Sequence, residues 1–186
     1  QSGVGRTGRM WACQHSGVKP DIMTSAKGLG SGMPIGAIIA KKQIMEHWKR
    51  GAHGNTFGGN PLSCAAAIAT LDLVQSEYAA NAARVGEHFM GRLREMQRDY
   101  PCIGEIRGKD LMIGMELIEN DAERTPARAL CDRLVTRGYH NGLLLLACGV
   151  STLRFMPPLS TTIAEVDEAI GLLRNSLDEA LQGKDA

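Results

Sequence analysis

The sequence predicts an α/β protein, because short apolar runs bounded by glycine and proline alternate with longer stretches whose apolar residues recur at helical spacing. Composition agrees: of 186 residues, 44% are hydrophobic and 22% charged, enough apolar material for a buried core without metals or disulfides. With 21 basic against 20 acidic residues the net charge is +1, and only 4% of residues are aromatic. That excludes a nucleic-acid binder built on a basic stripe interleaved with aromatics. The longest strongly apolar stretch, residues 142–150, is too short to cross a bilayer, and no secretory leader is read at the start, so a soluble chain with no membrane partner is expected.

Each element has its own signal. The glycine-rich segment 3–8 has no strand or helix before it, so the chain is expected to be a piece of a longer polypeptide. Pro20 and Asp21 introduce a strand over 22–26, the turn-rich 28–32 follows, and a second apolar run covers 34–40. These read as neighbouring strands with Lys27 at the joint. A weak amphipathic helix over 42–50 leads to a glycine-dense loop, 51–59. Asn60 can then cap a helix, Pro61 suits its first turn, and the alanine-rich 64–70 permits close packing.

Tyr78, Ala82, Val85, Phe89, Leu93 and Met96 recur at helical spacing up to Pro101. The texture changes near Glu77, from small residues and glycine to this ordinary stripe, which places a domain boundary between 1–76 and 77–186. Leu111, Ile113, Met115 and Leu117 alternate as a strand. Thr125 and Pro126 start a helix that Gly138 stops, residues 143–147 read as a buried strand, and 152–156 form another that Pro157 and Pro158 halt. Thr162 with Glu165 makes a capping box for a final helix whose stripe is Ile163, Val166, Ile170, Leu173, Leu177 and Leu181.

Few residues could carry chemistry. The five cysteines, Cys13, Cys64, Cys102, Cys131 and Cys148, are odd in number and form no C-x-x-C pair, and the five histidines lack ligand spacing. A reducing cytoplasm and no metal site are expected. Lys27 ends an apolar strand among Ser25, Ala26 and Gly28, whose small size would let a flat ligand lie against the backbone. An amine partly removed from water has a lowered pKa and attacks an aldehyde; alternatively, the side chain leaves the strand end for solvent. The loop 53–61 offers Thr56 and exposed amides ahead of a helix N-terminus, suited to a phosphate, or it merely connects. Arg154 lies on a short strand opposite Leu153 and Phe155, where it could clamp a carboxylate or serve as a surface charge. Residues 3–8 also satisfy G-x-G-x-x-G, but no strand precedes them and the stretch 9–15 is too short for a crossover helix, so a dinucleotide site is rejected.

The segments Gln1-Ser2-Gly3-Val4-Gly5-Arg6-Thr7-Gly8, Pro20-Asp21-Ile22-Met23-Thr24-Ser25-Ala26-Lys27-Gly28, Pro34-Ile35-Gly36-Ala37 and Gly54-Asn55-Thr56-Phe57-Gly58-Gly59-Asn60-Pro61 resemble, in order and spacing, the class III pyridoxal-phosphate aminotransferases. Leu153-Arg154-Phe155-Met156-Pro157-Pro158-Leu159 is similar to that family's carboxylate-binding strand, and the resemblance covers essentially the whole chain. It implies an α/β three-layer sandwich of the aspartate-aminotransferase type (PLP fold type I). Residues 1–76 would be the C-terminal portion of the large cofactor-binding domain, and 77–186 the small α+β C-terminal domain.

By the same resemblance, Lys27 forms the internal aldimine with pyridoxal 5'-phosphate and then serves as general base and acid. Thr56 binds the cofactor phosphate from the partner subunit of a homodimer or dimer-based oligomer, Gln1 hydrogen-bonds the cofactor's phenolic oxygen, and Arg154 grips the carboxylate of glutamate. The implied reaction moves an amino group from an ω-amino acid to 2-oxoglutarate. Residues 143–149 ahead of Arg154 look most like 4-aminobutyrate aminotransferases; the loop around Thr56 and the stretch 106–109 also resemble acetylornithine aminotransferases, the alternative donor class. An alternative of another kind is an inactive structural or dimer-forming fragment. The family's aspartate just before the residue matching Gln1, its upstream phosphate loop and its ring-stacking aromatic are absent from this sequence. The 186 residues alone are therefore expected neither to hold the cofactor tightly nor to turn over.

Overall fold

Asp21 delivers the chain into β1 (Ile22–Ser25), which pairs antiparallel with β2 (Ala37–Ala40), Ile22 opposite Ala40 and Ser25 opposite Ala37. The pairing is the neighbouring-strand arrangement expected. β2 begins later than residue 34, where a proline has no amide to give a ladder. The computed structural model describes residues 1–119 and 122–183; the remainder of the 77–186 segment lies outside the described residues. Two units divide the chain, Gln1–Ala80 and Asn81–Ala186.

In the first unit, the expected helix over 42–50 contracts to the single turn α1 (Lys42–Met45), after which the amides of His47 and Trp48 reach back only three residues. α2 (Pro61–Leu73) begins as the sequence indicates: Pro61 occupies its first position and the Asn60 side chain accepts from the Ser63 amide at 2.9 Å. α2 is apolar on all sides, and Leu62, Ile68 and Leu73 are exposed. A π turn, Val74–Tyr78, carries the chain without leaving helical geometry into α3 (Ala79–Asp99). The change of texture near Glu77 thus marks the point at which an all-round apolar helix becomes a striped one.

The second unit follows from that stripe. α3 lays Ala82, Val85, Phe89, Leu93 and Met96 into the core. The strands are β3 (Ile103–Lys109), β4 (Met112–Leu117), β5 (Leu146–Cys148) and β6 (Thr152–Phe155), in the antiparallel order β3-β4-β6-β5. α4 (Arg128–His140) and α5 (Ile163–Leu181) complete the unit. One face of the sheet, with Ile113, Met115, Leu117, Leu153 and Phe155, joins the stripes of α3, α4 and α5 in one apolar cluster, where Phe89 meets Phe155 edge-on at 5.2 Å. The capping box of α5 forms as expected, with the Glu165 carboxylate accepting from the Thr162 amide at 2.7 Å.

Two readings are corrected. β3 was not expected, since residues 103–109 hold only two large apolar side chains; its pairing with β4 makes it a strand. Residues 143–147 are not a buried strand: Leu144 and Leu146 are exposed, and β5 starts only at Leu146. β5 pairs with β6 alone, so it is an edge with one open side, and a run of leucines there cannot be covered throughout.

Candidate active site

Lys27 stands where β1 stops. Ala26 is fully extended, and Lys27 then turns the chain with a left-handed φ of 53°, a conformation that costs a side-chain-bearing residue roughly 1–3 kcal/mol and clusters at functional sites. A 3-10 turn, Lys27–Leu29, follows; the Leu29 amide donates to Ala26 (3.2 Å) and the Gly30 amide to Lys27 (3.1 Å). Leu29 is buried, and a Cβ at Gly30 would collide with the Met33 carbonyl and with Ile35 Cγ2. A Cβ at Gly28 would meet nothing within 4 Å. Lys27 itself is exposed. The poor hydration expected of its ammonium is therefore not supplied by this chain's described residues, because Ala26 and Gly28 are too small to cover it. What they leave is an exposed primary amine.

Gln1 is exposed at the head of a tightly closed loop. Val4, Gly5 and Gly8 all have positive φ, the Gly5 amide donates to Met10 and the Gly8 amide to Gly5. His15 Nε2 donates to the Thr7 carbonyl at 2.6 Å; a carbonyl only accepts, so this ring nitrogen carries the proton. Arg6 is partly enclosed in the same loop, and burial pushes its guanidinium below the usual arginine value.

Thr56 is exposed at the tip of the turn that feeds α2. Asn55 Oδ1 accepts from the Phe57 amide (2.9 Å), the Gly58 amide donates to the Asn55 carbonyl (3.1 Å), and Asn60 Nδ2 donates to the Phe57 carbonyl (3.1 Å). The loop is a hydrogen-bonded device, more ordered than its glycines suggested.

Arg154 belongs to the second unit. It is half-buried on β6, on the face opposite Leu153 and Phe155, as the alternation required, and lies in a cross-strand row with Gly114 of β4 and Leu146 of β5. Arg107 of β3 stands across Gly114 in the same row. Its guanidinium donates to Glu105 (2.9 Å) and to Thr152 Oγ1 (3.3 Å). The sequence reading gave Arg107 no role; only the strand register carries that signal. Gln1, Lys27 and Thr56 thus lie on one unit and Arg154 on the other.

Known proteins match this chain throughout. The profile of the class III aminotransferase family covers residues 1–177. The chain belongs to that family. It is 43% identical over 180 residues to the acetylornithine aminotransferase of Caldanaerobacter subterraneus subsp. tengcongensis, covering 96% of this chain and 43% of that protein. Among solved structures, the acetylornithine aminotransferase of Elizabethkingia anophelis superposes with a TM-score of 0.87 at 34% identity, over 96% of this chain and 44% of the other. The ornithine aminotransferase of Toxoplasma gondii gives 0.86 at 35%, over 98% and 42%. The chain spans less than half the length of each of these relatives. The fold class is the expected α/β three-layer sandwich of the aspartate-aminotransferase-like type.

The residues of the first unit fit pyridoxal phosphate chemically, with an exposed primary amine able to meet an aldehyde and a hydroxyl-bearing loop ahead of a helix N-terminus suited to a phosphate; in the second unit, Arg154 is a guanidinium on a strand, a type suited to a carboxylate.

Proposed function

We propose that this chain carries the lysine, one phosphate contact and the carboxylate grip of a pyridoxal-phosphate-dependent aminotransferase that moves the amino group of an N-acetylornithine-type ω-amino donor to 2-oxoglutarate. The observation that carries this reading is Lys27, exposed and held in a strained left-handed turn at a strand end. The 43% identity to a protein named acetylornithine aminotransferase favours that donor over 4-aminobutyrate, which the leucine run ahead of Arg154 had suggested.

When bound, the cofactor supplies an electrophilic carbonyl and a conjugated ring that accepts electrons from the substrate carbon. Lys27 would hold the cofactor through Nζ, and the same Nζ, when free, would carry the proton lost by the donor's amino-bearing carbon to the carbon derived from the cofactor's carbonyl. Thr56 donates its hydroxyl hydrogen to the phosphate, reaching the partner subunit's site in a homodimer, while Gln1 hydrogen-bonds the phenolic oxygen. Arg154 orients glutamate and 2-oxoglutarate through their carboxylate; a planar two-pronged donor does this better than lysine. We place the enzyme in the cytoplasm, where five free thiols would remain reduced.

The test is covalent. Pyridoxal phosphate followed by borohydride should label Lys27 in preference to Lys41, Lys42 and Lys49, as read by peptide mass spectrometry. Equal labelling of all lysines would favour a structural or dimer-forming role.

A further inference from the structure

Between Lys27 and the first turn of β2, the backbone enters the left-handed region twice outside glycine, at Lys27 (φ 53°) and at Ser31 (φ 46°). Such a segment relaxes unless something over-determines it. Its near end is tied by its own amides, those of Leu29 and Gly30. Its far end is tied to α2. The buried Thr70 hydroxyl lies 3.0 Å from Ser31 Oγ and 2.8 Å from the Ala66 carbonyl, and can donate to either. Leu29 is buried, and α2 packs on the turn Lys27–Leu29.

We propose that Thr70, through Ser31, is the positioning residue that holds Lys27 in its left-handed conformation and so sets the direction of the Lys27 amine. The catalytic use of that amine rests on the function proposed above; the mechanical claim does not. The direction of a Cα–Cβ bond follows from φ, so letting Lys27 fall back into the extended or right-handed region re-aims its side chain and the amine at its end. Ser31 cannot hold itself there, since it bears a Cβ at positive φ. A hydroxyl on a neighbouring helix can, because Thr70, its end of the bond, is fixed by α2, which does not move with the turn. Thr70 also occupies a buried position of α2 where alanine or leucine would form the helix better.

The experiment uses the 186-residue chain and the variants Thr70→Val, Thr70→Ser and Ser31→Ala. Two readouts are taken: hydrogen exchange at the Gly30 amide, which donates to Lys27, and the share of pyridoxal phosphate–borohydride label on Lys27 relative to Lys41 and Lys42. In T70V and S31A, Gly30 exchange should quicken and the Lys27 share should fall, each by about threefold to tenfold, the scale of one lost hydrogen bond. T70S, which keeps the hydroxyl, should behave as the parent. Gly30 exchange within about twofold of the parent in both T70V and S31A would overturn the proposal, as would a uniform change at every lysine, which is the mark of a merely structural role. If the parent chain does not favour Lys27 at all, as weak cofactor binding by these 186 residues would allow, Gly30 exchange alone decides for or against Thr70.

Discussion

At Gly86, in the middle of α3, the helix meets the β3–β4 hairpin so closely that a Cβ would run into the backbone of Asp110, itself in the left-handed region. Backbone in that conformation has no rotamer with which to yield. At Gly91, one and a half turns further along the same helix, nothing lies within 4 Å of the missing Cβ. The two glycines therefore predict opposite signs. Gly86→Ala should destabilise by about 1–3 kcal/mol through overpacking, whereas Gly91→Ala should stabilise by about 0.5–1 kcal/mol by removing unfolded-chain entropy. Urea midpoints measure both; a shift in the same direction for the pair would contradict the close approach at Asp110. Neither glycine has a distinguishing neighbourhood in sequence. Gly86 is decided by a hairpin 24 residues away, which local pattern cannot report.

Among the elements, α5 is the most legible from sequence, because its start is chemical. The Thr162 amide and hydroxyl both donate to Glu165 and hold its carboxyl below the ordinary value of 4.5. A carboxylate whose folded value is depressed contributes stability that is fully present above its unfolded value and is lost as pH falls through the folded one. Thr162→Ala should cost about 1 kcal/mol at neutral pH. The gap between variant and parent should narrow below pH 4.5, as Glu165 takes up a proton in both. A gap that stays constant from pH 7 to pH 3 would show that the capping box contributes no acid sensitivity. The side-chain pairs joining α3 and α5, the His88–Asp167 hydrogen bond at 2.9 Å and the Asp99–Arg174 ion pair at 2.8 Å, are part-exposed, and such pairs add little beyond fixing alignment.

Across the molecule, stability of the second unit resides in the cluster that α3, α4, α5 and one sheet face build together. Leu173, almost wholly buried on α5, should cost about 2–5 kcal/mol when truncated to alanine. Leu144, 82% exposed, should cost under about 0.5 kcal/mol. Denaturant titration separates the two, and a large loss at Leu144 would mean that the leucine run is covered after all. The sequence by itself determined what is local: the caps at Asn60 and Thr162, the stripes of α3 and α5, the alternation of β4, and the residue types around Lys27 from which the family can be recognised. Each depends on neighbours within one or two turns, so spacing alone reports it. Only tertiary structure decided that residues 103–109 pair as a strand, that β5 is an edge, that Arg107 and Arg154 share a row across Gly114, and that Thr70 reaches Ser31 from 39 residues away. Register and long-range hydrogen bonds join residues whose local patterns are independent of one another. Their pairing is settled only when the whole chain packs.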